Sequence, residues 1–422
     1  MKGVSEIIQH ICDKNRHKYI LLCIGLLNFF WAVSAEEIYY TRSFMENIRT
    51  LQISKDVINL GDESDVVDIS FDELSHTVHT YSYTIYHLNA DWTRDNLSSS
   101  EYLKGFTRTD VTNYDHSFNT QQLYTHYYFT FPNEDISPTL TGNYAIIIFE
   151  DGKEEEPVAT VCFSVVNQSV SINGTIRSNT NIEFNGRYQQ LDIDVSLPNV
   201  SRLSPNEYTL VVEQNGRRDN MVYKPSPTYI ESNRLRWQDS RQLIFEGGHE
   251  YQFFDNSSFY LMGHNVDYMH YDKTFHHVFL YPSVMRAGDP YITERDANGS
   301  YVVNAQKVSD DATEADYMYV HFILPCPTPF FDGSIYLLGQ AWHNMFTPEN
   351  KMYYDSEHKA YIASCYLKQG GCEWLYAFIP KGSNAATLQR IEGNHWETEN
   401  TYRIYLYYRP FGGRYDELIG VK

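Results

Sequence analysis

Short runs of alternating apolar and polar residues recur from one end of this chain to the other, with no helical period between them. YSYTIYHL (81–88), LYTHYYFTF (123–131), YAIIIFE (144–150) and VATVCFSVV (158–166) open the series. LDIDVSL (191–197), YTLVVE (208–213), HHVFLY (276–281), YMYVHFIL (317–324), SIYLLG (334–339), WLYAFIP (374–380) and YRIYLYY (402–408) continue it. Each run is rich in Tyr, Val, Ile and Phe and is bounded by Gly, Pro, Asn or Asp, which is the pattern of a strand. Strands that succeed one another without helices favour antiparallel sheets over a parallel α/β sheet. The expected fold is all-β, with two or three antiparallel Ig-like β-sandwich domains in series.

At 422 residues the chain exceeds what one hydrophobic core sustains, since cores stop growing near roughly 250 residues. The polar stretch NQSVSINGT (167–175) follows a last strand-like run, and YVVNAQKVSDDATEAD (301–316) is acidic and weakly apolar. These mark the expected boundaries: a signal peptide over 1–35, an N-terminal β-sandwich over 36–166, a middle β domain over 167–300 and a C-terminal Ig-like sandwich over 301–422. The leader has Lys14, Arg16 and Lys18, then the apolar run YILLCIGLLNFFWAV (19–33), then Val33-Ser34-Ala35. That is the order a secretory signal requires, with cleavage expected after Ala35. The apolar run is short for a membrane span of about 20 residues. Leu22 before Cys23 does not suit a lipoprotein cysteine.

The chain carries 54 acidic against 33 Lys and Arg residues, a net charge of −21. Such a surface repels nucleic acid and anionic membranes. Beyond the leader the cysteines are Cys162, Cys326, Cys365 and Cys372, too few for a disulfide scaffold. Cys365 and Cys372 flank the turn signal YLKQGG, so a bridge near a hairpin and free buried thiols both stay open. The 36 Tyr and 23 Phe suit half-buried pleated faces, and Tyr is also enriched at interfaces.

No motif for a nucleophile elbow, P-loop, dinucleotide fold, HEXXH zinc site or C-x-x-C pair occurs. His276 and His277 are adjacent, so on a regular strand they point to opposite faces and cannot share a metal. Asp192 and Asp194 share a face of LDIDVSL, but a glycosidase pair would need a second element opposite them. GDESD (61–65) and RDANGS (295–300) fit Asx turns better than a Ca²⁺ loop. Asn96-Leu97-Ser98 and Asn173-Gly174-Thr175 have the form of glycan acceptors, which matters only in a eukaryotic secretory pathway.

HLNADWTRDNLSSSEYLKGF (87–106) concentrates His87, Asp91, Asp95 and Glu101 with Arg94 and several rings. It reads either as a ligand site or as the corner of a β domain. Asn89, Asp91 and Asp95 can satisfy backbone donors where a strand ends. Ser98 to Ser100 with Glu101 can start a turn or short helix that Gly105 closes, while Trp92, Leu97, Tyr102, Leu103 and Phe106 anchor it. With no nucleophile nearby, no catalytic residue, metal or cofactor is expected.

The same stretch, with YDHSFNTQQLYTHYYFTFPN (114–133) and SPTLTGNYAIIIFE (137–150), resembles the N-terminal domain of the type IX secretion system plug proteins of Bacteroidota. The resemblance continues through FNGRYQQLDIDV (184–195), VEQNGRRDN (212–220), RQLIFEGGHEYQFF (241–254), IEGNHWETENTYRIYLYYRP (391–410) and GGRYDELIG (412–420). Leu88 departs from it, since a Cys often precedes Asn-Ala-Asp-Trp there. The resemblance implies a periplasmic, non-enzymatic plug that binds the periplasmic mouth of a very large outer-membrane β-barrel translocon and closes its pore while no substrate passes. Trp92, Arg94, Tyr102 and Phe106 are the expected partner-facing residues, on the ground that Trp and Tyr anchor interfaces. The competing expectation is a carbohydrate-binding sandwich in which Trp342 or Trp374 stacks on a sugar.

Overall fold

The computed structural model describes residues 37–198 and 203–422. The expected leader and its cleavage point lie outside the described residues. The regular structure described is nearly all β, and six of its seven sheets form three pairs, each closed on its own core; the seventh is the short ribbon of Leu103–Gly105 and Ile136–Pro138.

In the N-terminal domain the larger sheet runs Arg42–Ser43, Pro157–Val166, Gly142–Glu150, Tyr81–Leu88 and Arg108–Val111, with Val57–Asn59 joining Pro157–Val166 in parallel. The facing sheet runs Ile48–Ile53, Val67–Glu73, Thr125–Phe131 and Asn113–His116. Phe71, Tyr83, Ile85, Phe131, Tyr144, Ile146 and Phe163 form the core between them. Full burial of each such side chain contributes about 1.5–3 kcal/mol. Alternation along Val67–Glu73 sends Val67, Ile69 and Phe71 inward and leaves Asp68, Ser70 and Asp72 on the outer face.

The middle domain pairs Ser171–Arg177, Tyr188–Ser196, Arg234–Trp237 and Tyr229–Ile230 in one sheet, with Ile244–Glu246 also on Tyr188–Ser196. Its second sheet runs Arg217–Tyr223, Tyr208–Gln214, Tyr402–Tyr408 and Glu417–Val421. The third domain has one sheet of Val266–Tyr271, His276–Leu280, Tyr317–Pro325, Ala360–Lys368 and Tyr353–Asp355. Its other sheet centres on Gly370–Pro380, flanked by Gln252–Asp255, Tyr301–Val303 and Gly333–Leu338. Trp374, Phe322 and Phe254 lie at the centre of its core.

This pairing corrects the expected division at 300/301. Tyr208–Gln214 pairs residue for residue with Tyr402–Tyr408, so the last two strands return to the middle domain. The third domain is inserted between Ile244–Glu246 and Tyr402–Tyr408, and it includes strands from Gln252–Asp255 onward. The acidic segment 301–316 is no linker: Tyr301–Val303 is a sheet edge, and Asp311–Glu314 is a helical turn capped by Asp310, which accepts from Ala312 N. Partner choice in a sheet is a property of chain return, which local composition does not encode.

Candidate functional site: the three-domain junction

HLNADWTRDNLSSSEYLKGF is a corner built from local hydrogen bonds. Asp91 Oδ1 accepts from Thr93 N at 3.1 Å and from Thr93 Oγ1 at 2.6 Å, an Asx turn that carries Trp92 at φ 66°. Ser98 N donates to Glu101 Oε2 at 2.8 Å and starts the helical turn Ser99–Tyr102. That hydrogen bond and the Arg414 guanidinium hold the Glu101 carboxyl down to about 2. Gly105 closes the turn at φ 104°, where a Cβ would meet the Asp135 carbonyl oxygen at 1.9 Å. His87 Nδ1 is bonded to the Asp95 carboxylate and Nε2 faces Thr141 O at 3.1 Å. Both ring nitrogens are occupied, and the rings of Tyr102, Tyr144 and Tyr415 surround the imidazole.

The corner docks on the returning C-terminal strands. Ala90 N donates to Asp416 Oδ2 at 2.8 Å, Arg409 Nη2 to Asn89 Oδ1 at 2.6 Å, and Tyr407 OH to Asn143 Oδ1 at 2.8 Å. The Arg218 guanidinium lies 3.5 Å from the centroid of the Trp92 ring and donates to Tyr39 O at 2.7 Å. Trp92 is therefore a packing residue between two domains.

The N-terminal and third domains meet through a buried charge. Asp72 Oδ2 accepts from Lys368 Nζ at 2.6 Å and from Tyr317 OH at 2.7 Å, and Oδ1 meets His126 Nδ1 at 2.6 Å. Lys368 Nζ also donates to Ala312 O at 2.7 Å and sits 4.1 Å from the Tyr124 ring centroid. Burial pulls the Lys368 ammonium below its ordinary value, with Asp72 opposing, and pushes the Tyr317 hydroxyl well above its own. Beside it the Asp316 carboxylate accepts from Gln121 N at 2.5 Å and Gln122 N at 3.0 Å.

The middle and third domains are joined where the chain leaves and returns. Gln189 Nε2 donates to Trp396 O and Thr398 O, both at 2.7 Å, and Asn400 Nδ2 donates to Gly247 O at 2.7 Å. With all three pairs in contact, the domains border a half-open cavity of about 1130 Å³. The N-terminal domain contributes Gln52, Asp68 and Tyr128, the middle domain Glu213 and Arg218, and the third domain Tyr301 and Asn344. Burial raises the Glu213 carboxyl, opposed by Arg218. Among the described residues no group of three His, Cys, Asp or Glu side chains is placed to hold a metal ion.

The model of the type 9 secretion system plug protein first domain matches residues 41–167, the strands and corner just described. The chain belongs to the type IX secretion system plug family. A crystal structure of a hypothetical protein from Parabacteroides merdae is similar throughout: 35% identity, TM-score 0.89, covering 92% of this chain and 99% of that one. A Pseudomonas fluorescens alkylpurine DNA glycosylase bound to DNA aligns at 12% identity over 28% of this chain and 30% of that one, with a TM-score of 0.16, and carries no argument. No curated protein matches.

In this plug-family chain the residues expected at a partner surface divide. Phe106 is 64% exposed and Arg94 is exposed, its guanidinium 3.8 Å from the Tyr86 ring centroid. Trp92 is 4% and Tyr102 3% exposed, so neither presents a ring to a partner. Trp92 lies under Arg218, and Tyr102 OH donates to Ile85 O at 3.0 Å inside the sandwich. Trp342 at 6% and Trp374 at 0% exposure are core residues that cannot stack on a sugar. Asp192 pairs with Arg177 and Asp194 with Arg236, which leaves no facing carboxylate pair. His276 stacks on Tyr271, while His277 Nδ1 lies 2.9 Å from His321 Nε2. Cys162, Cys326, Cys365 and Cys372 are all free and buried. The Asp72–Lys368 node escaped sequence reasoning. Its signals are one of three acids on the mixed strand Val67–Glu73 and a Lys at the end of Ala360–Lys368, both of which read locally as solvated.

Proposed function

We propose that the protein is a periplasmic, non-enzymatic plug that binds the periplasmic mouth of the type IX outer-membrane translocon barrel and closes its pore in the absence of substrate. The observation that carries this reading is the plug first domain over residues 41–167. Three domains pinned pairwise by buried polar contacts suit it, because a body that blocks a pore must resist deformation. Release then needs only a lower affinity for the open translocon than for the closed one. The polar residues singled out for chemistry fit the non-enzymatic reading, since His87, Asp95, Asp192 and Asp194 are each held in a local pair. Among the described residues no helix is long and apolar enough to cross a membrane.

Arg94 and Phe106 contribute to the docking surface, while Trp92 and Tyr102 hold the corner beneath them. The test is affinity capture from detergent-solubilised envelopes with mass spectrometry. Wild-type protein recovers a giant outer-membrane barrel, and the Arg94→Glu/Phe106→Asp variant recovers at least fivefold less at an unchanged melting temperature. Capture that returns no such barrel refutes the function. Undiminished capture by the folded double variant refutes only the assignment of this corner.

A further inference from the structure

Two strand edges from different domains open into the central cavity. Ile48–Ile53 is outermost in its sheet and pairs only with Val67–Glu73. Tyr301–Val303 is outermost in its own and pairs only with Gly370–Pro380. Gln52 and Ile53 line the cavity on one side, and Tyr301, Val302 and Val303 on the other.

The ladders dictate where the free backbone groups point. Ser54 N donates to Asp68 O at 3.0 Å and Gln52 pairs with Ser70. In an antiparallel ladder alternate residues bond to the neighbour, so Ile53 directs its N–H and C=O away from it. Asn304 N donates to Gln369 O at 3.1 Å, and Ser300 O accepts from Glu373 N at 2.9 Å. By the same alternation Tyr301 and Val303 turn their backbone groups outward, toward the cavity.

An unpaired row of this kind is a template for another strand. The row lies along the wall of this half-open cavity, which has room for one extended segment. The cavity of about 1130 Å³ exceeds the roughly 300–1,000 Å³ usual for small ligands. Its lining indicates the chemistry of the occupant. Of the acids in the lining, Asp56 pairs with Arg403, Glu213 with Arg218 and Asp219 with Arg217, which leaves Asp68 as the carboxylate with no ion pair among the described residues. Asn344 is 6% exposed, its Nδ2 is tied to Asn215 O at 3.2 Å, and its buried Oδ1 has no partner.

We propose that the cavity is a peptide site, in which an extended segment of another polypeptide carrying Lys or Arg adds as a strand to the Tyr301–Val303 edge. Main-chain hydrogen bonds to Tyr301 and Val303 supply affinity, as in strand addition generally, and Asp68 selects the basic side chain. This holds whether or not the protein closes a translocon.

The test uses the mature full-length protein and fluorescein-labelled hexapeptides. KVTVKV binds by fluorescence anisotropy, and EVTVEV or a backbone N-methylated KVTVKV binds at least tenfold more weakly. Val303→Pro removes an N–H that faces the cavity and leaves the ladder to Gly370–Pro380 in place, since edge strands tolerate proline there. It weakens KVTVKV at least tenfold at an unchanged melting temperature. Asp68→Asn narrows the preference for KVTVKV over EVTVEV at least threefold. Hydrogen exchange at Tyr301 and Val303 slows at least tenfold with peptide bound. No binding at millimolar peptide, equal binding of the N-methylated peptide, full binding by folded Val303→Pro, or displacement of the peptide by cellohexaose overturns the proposal.

Discussion

Lys368→Met probes whether the N-terminal and third domains are held together by a buried ion pair. The Asp72 side chain is 0% and the Lys368 side chain 1% exposed, so Met keeps most of the buried stem and deletes only the ammonium. Removing one partner of a buried pair strands the other charge, a loss of about 3–5 kcal/mol. Asp72 retains Tyr317 OH and His126 Nδ1, which places the expected loss at the lower end, about 3 kcal/mol. Asp72→Asn is milder, at about 1.5–3 kcal/mol by the loss of a charged hydrogen bond. Lys368 keeps Ala312 O and the Tyr124 face, and its burial already favours the neutral amine. The two residues are in contact, so their effects couple and the double variant loses less than the sum of the singles. Urea unfolding followed by tryptophan fluorescence gives the three values, and small-angle scattering shows whether the domains separate first. Lys368→Met within about 0.5 kcal/mol of wild type, a loss typical of an ordinary surface substitution, refutes the reasoning. So do strictly additive single variants.

Burial, then the neighbouring His277, holds the His321 imidazole down to about 3, against about 6.5 in an unfolded chain. Below about 6.5 the unfolded state takes up a proton that the folded state refuses, so stability falls with falling pH, by about 2 kcal/mol between pH 7 and 5. His277, which burial also lowers, faces His321 and adds to the same slope. His321→Asn flattens the difference between melts at the two pH values by that amount, and an unchanged difference rejects the assignment. Trp92→Ala loses about 3–5 kcal/mol as a large-to-small change in a packed site. Phe106→Ser stays within about 0.5 kcal/mol as a surface change. Thermal melts of the two variants that fail to separate contradict their placement.

Where the decisive contacts are local, the sequence already shows the outcome. YSYTIYHL alternates and is the strand Tyr81–Leu88, because residues two apart share a sheet face whatever lies beyond. Ser98 with Glu101, and Gly105 at its left-handed turn, mark the corner for the same reason: each acts on backbone within a few residues. The long mixed strings also carry family membership legibly, since they record many such local choices at once.

What local pattern leaves undecided is which faces meet. Strand Tyr402–Tyr408 reads as a strand, but its place beside Tyr208–Gln214 depends on the chain returning past a whole inserted domain. Trp92 and Phe106 have the same standing in the sequence, and what separates them is the packing of one ring on Leu88, Ala145, Ile147 and Cys162 beneath Arg218. Asp72 is an outward charge on its strand until Lys368, 296 residues away, removes both from water. The sequence by itself determined the β class, the eleven most strongly alternating strands, the corner and the family, but not edge or mixed strands such as Ile48–Ile53, Val67–Glu73 and Tyr301–Val303. The tertiary structure alone decided the domain boundaries, the buried ion pair and the cavity, because burial is set by surfaces that touch only after the domains have formed.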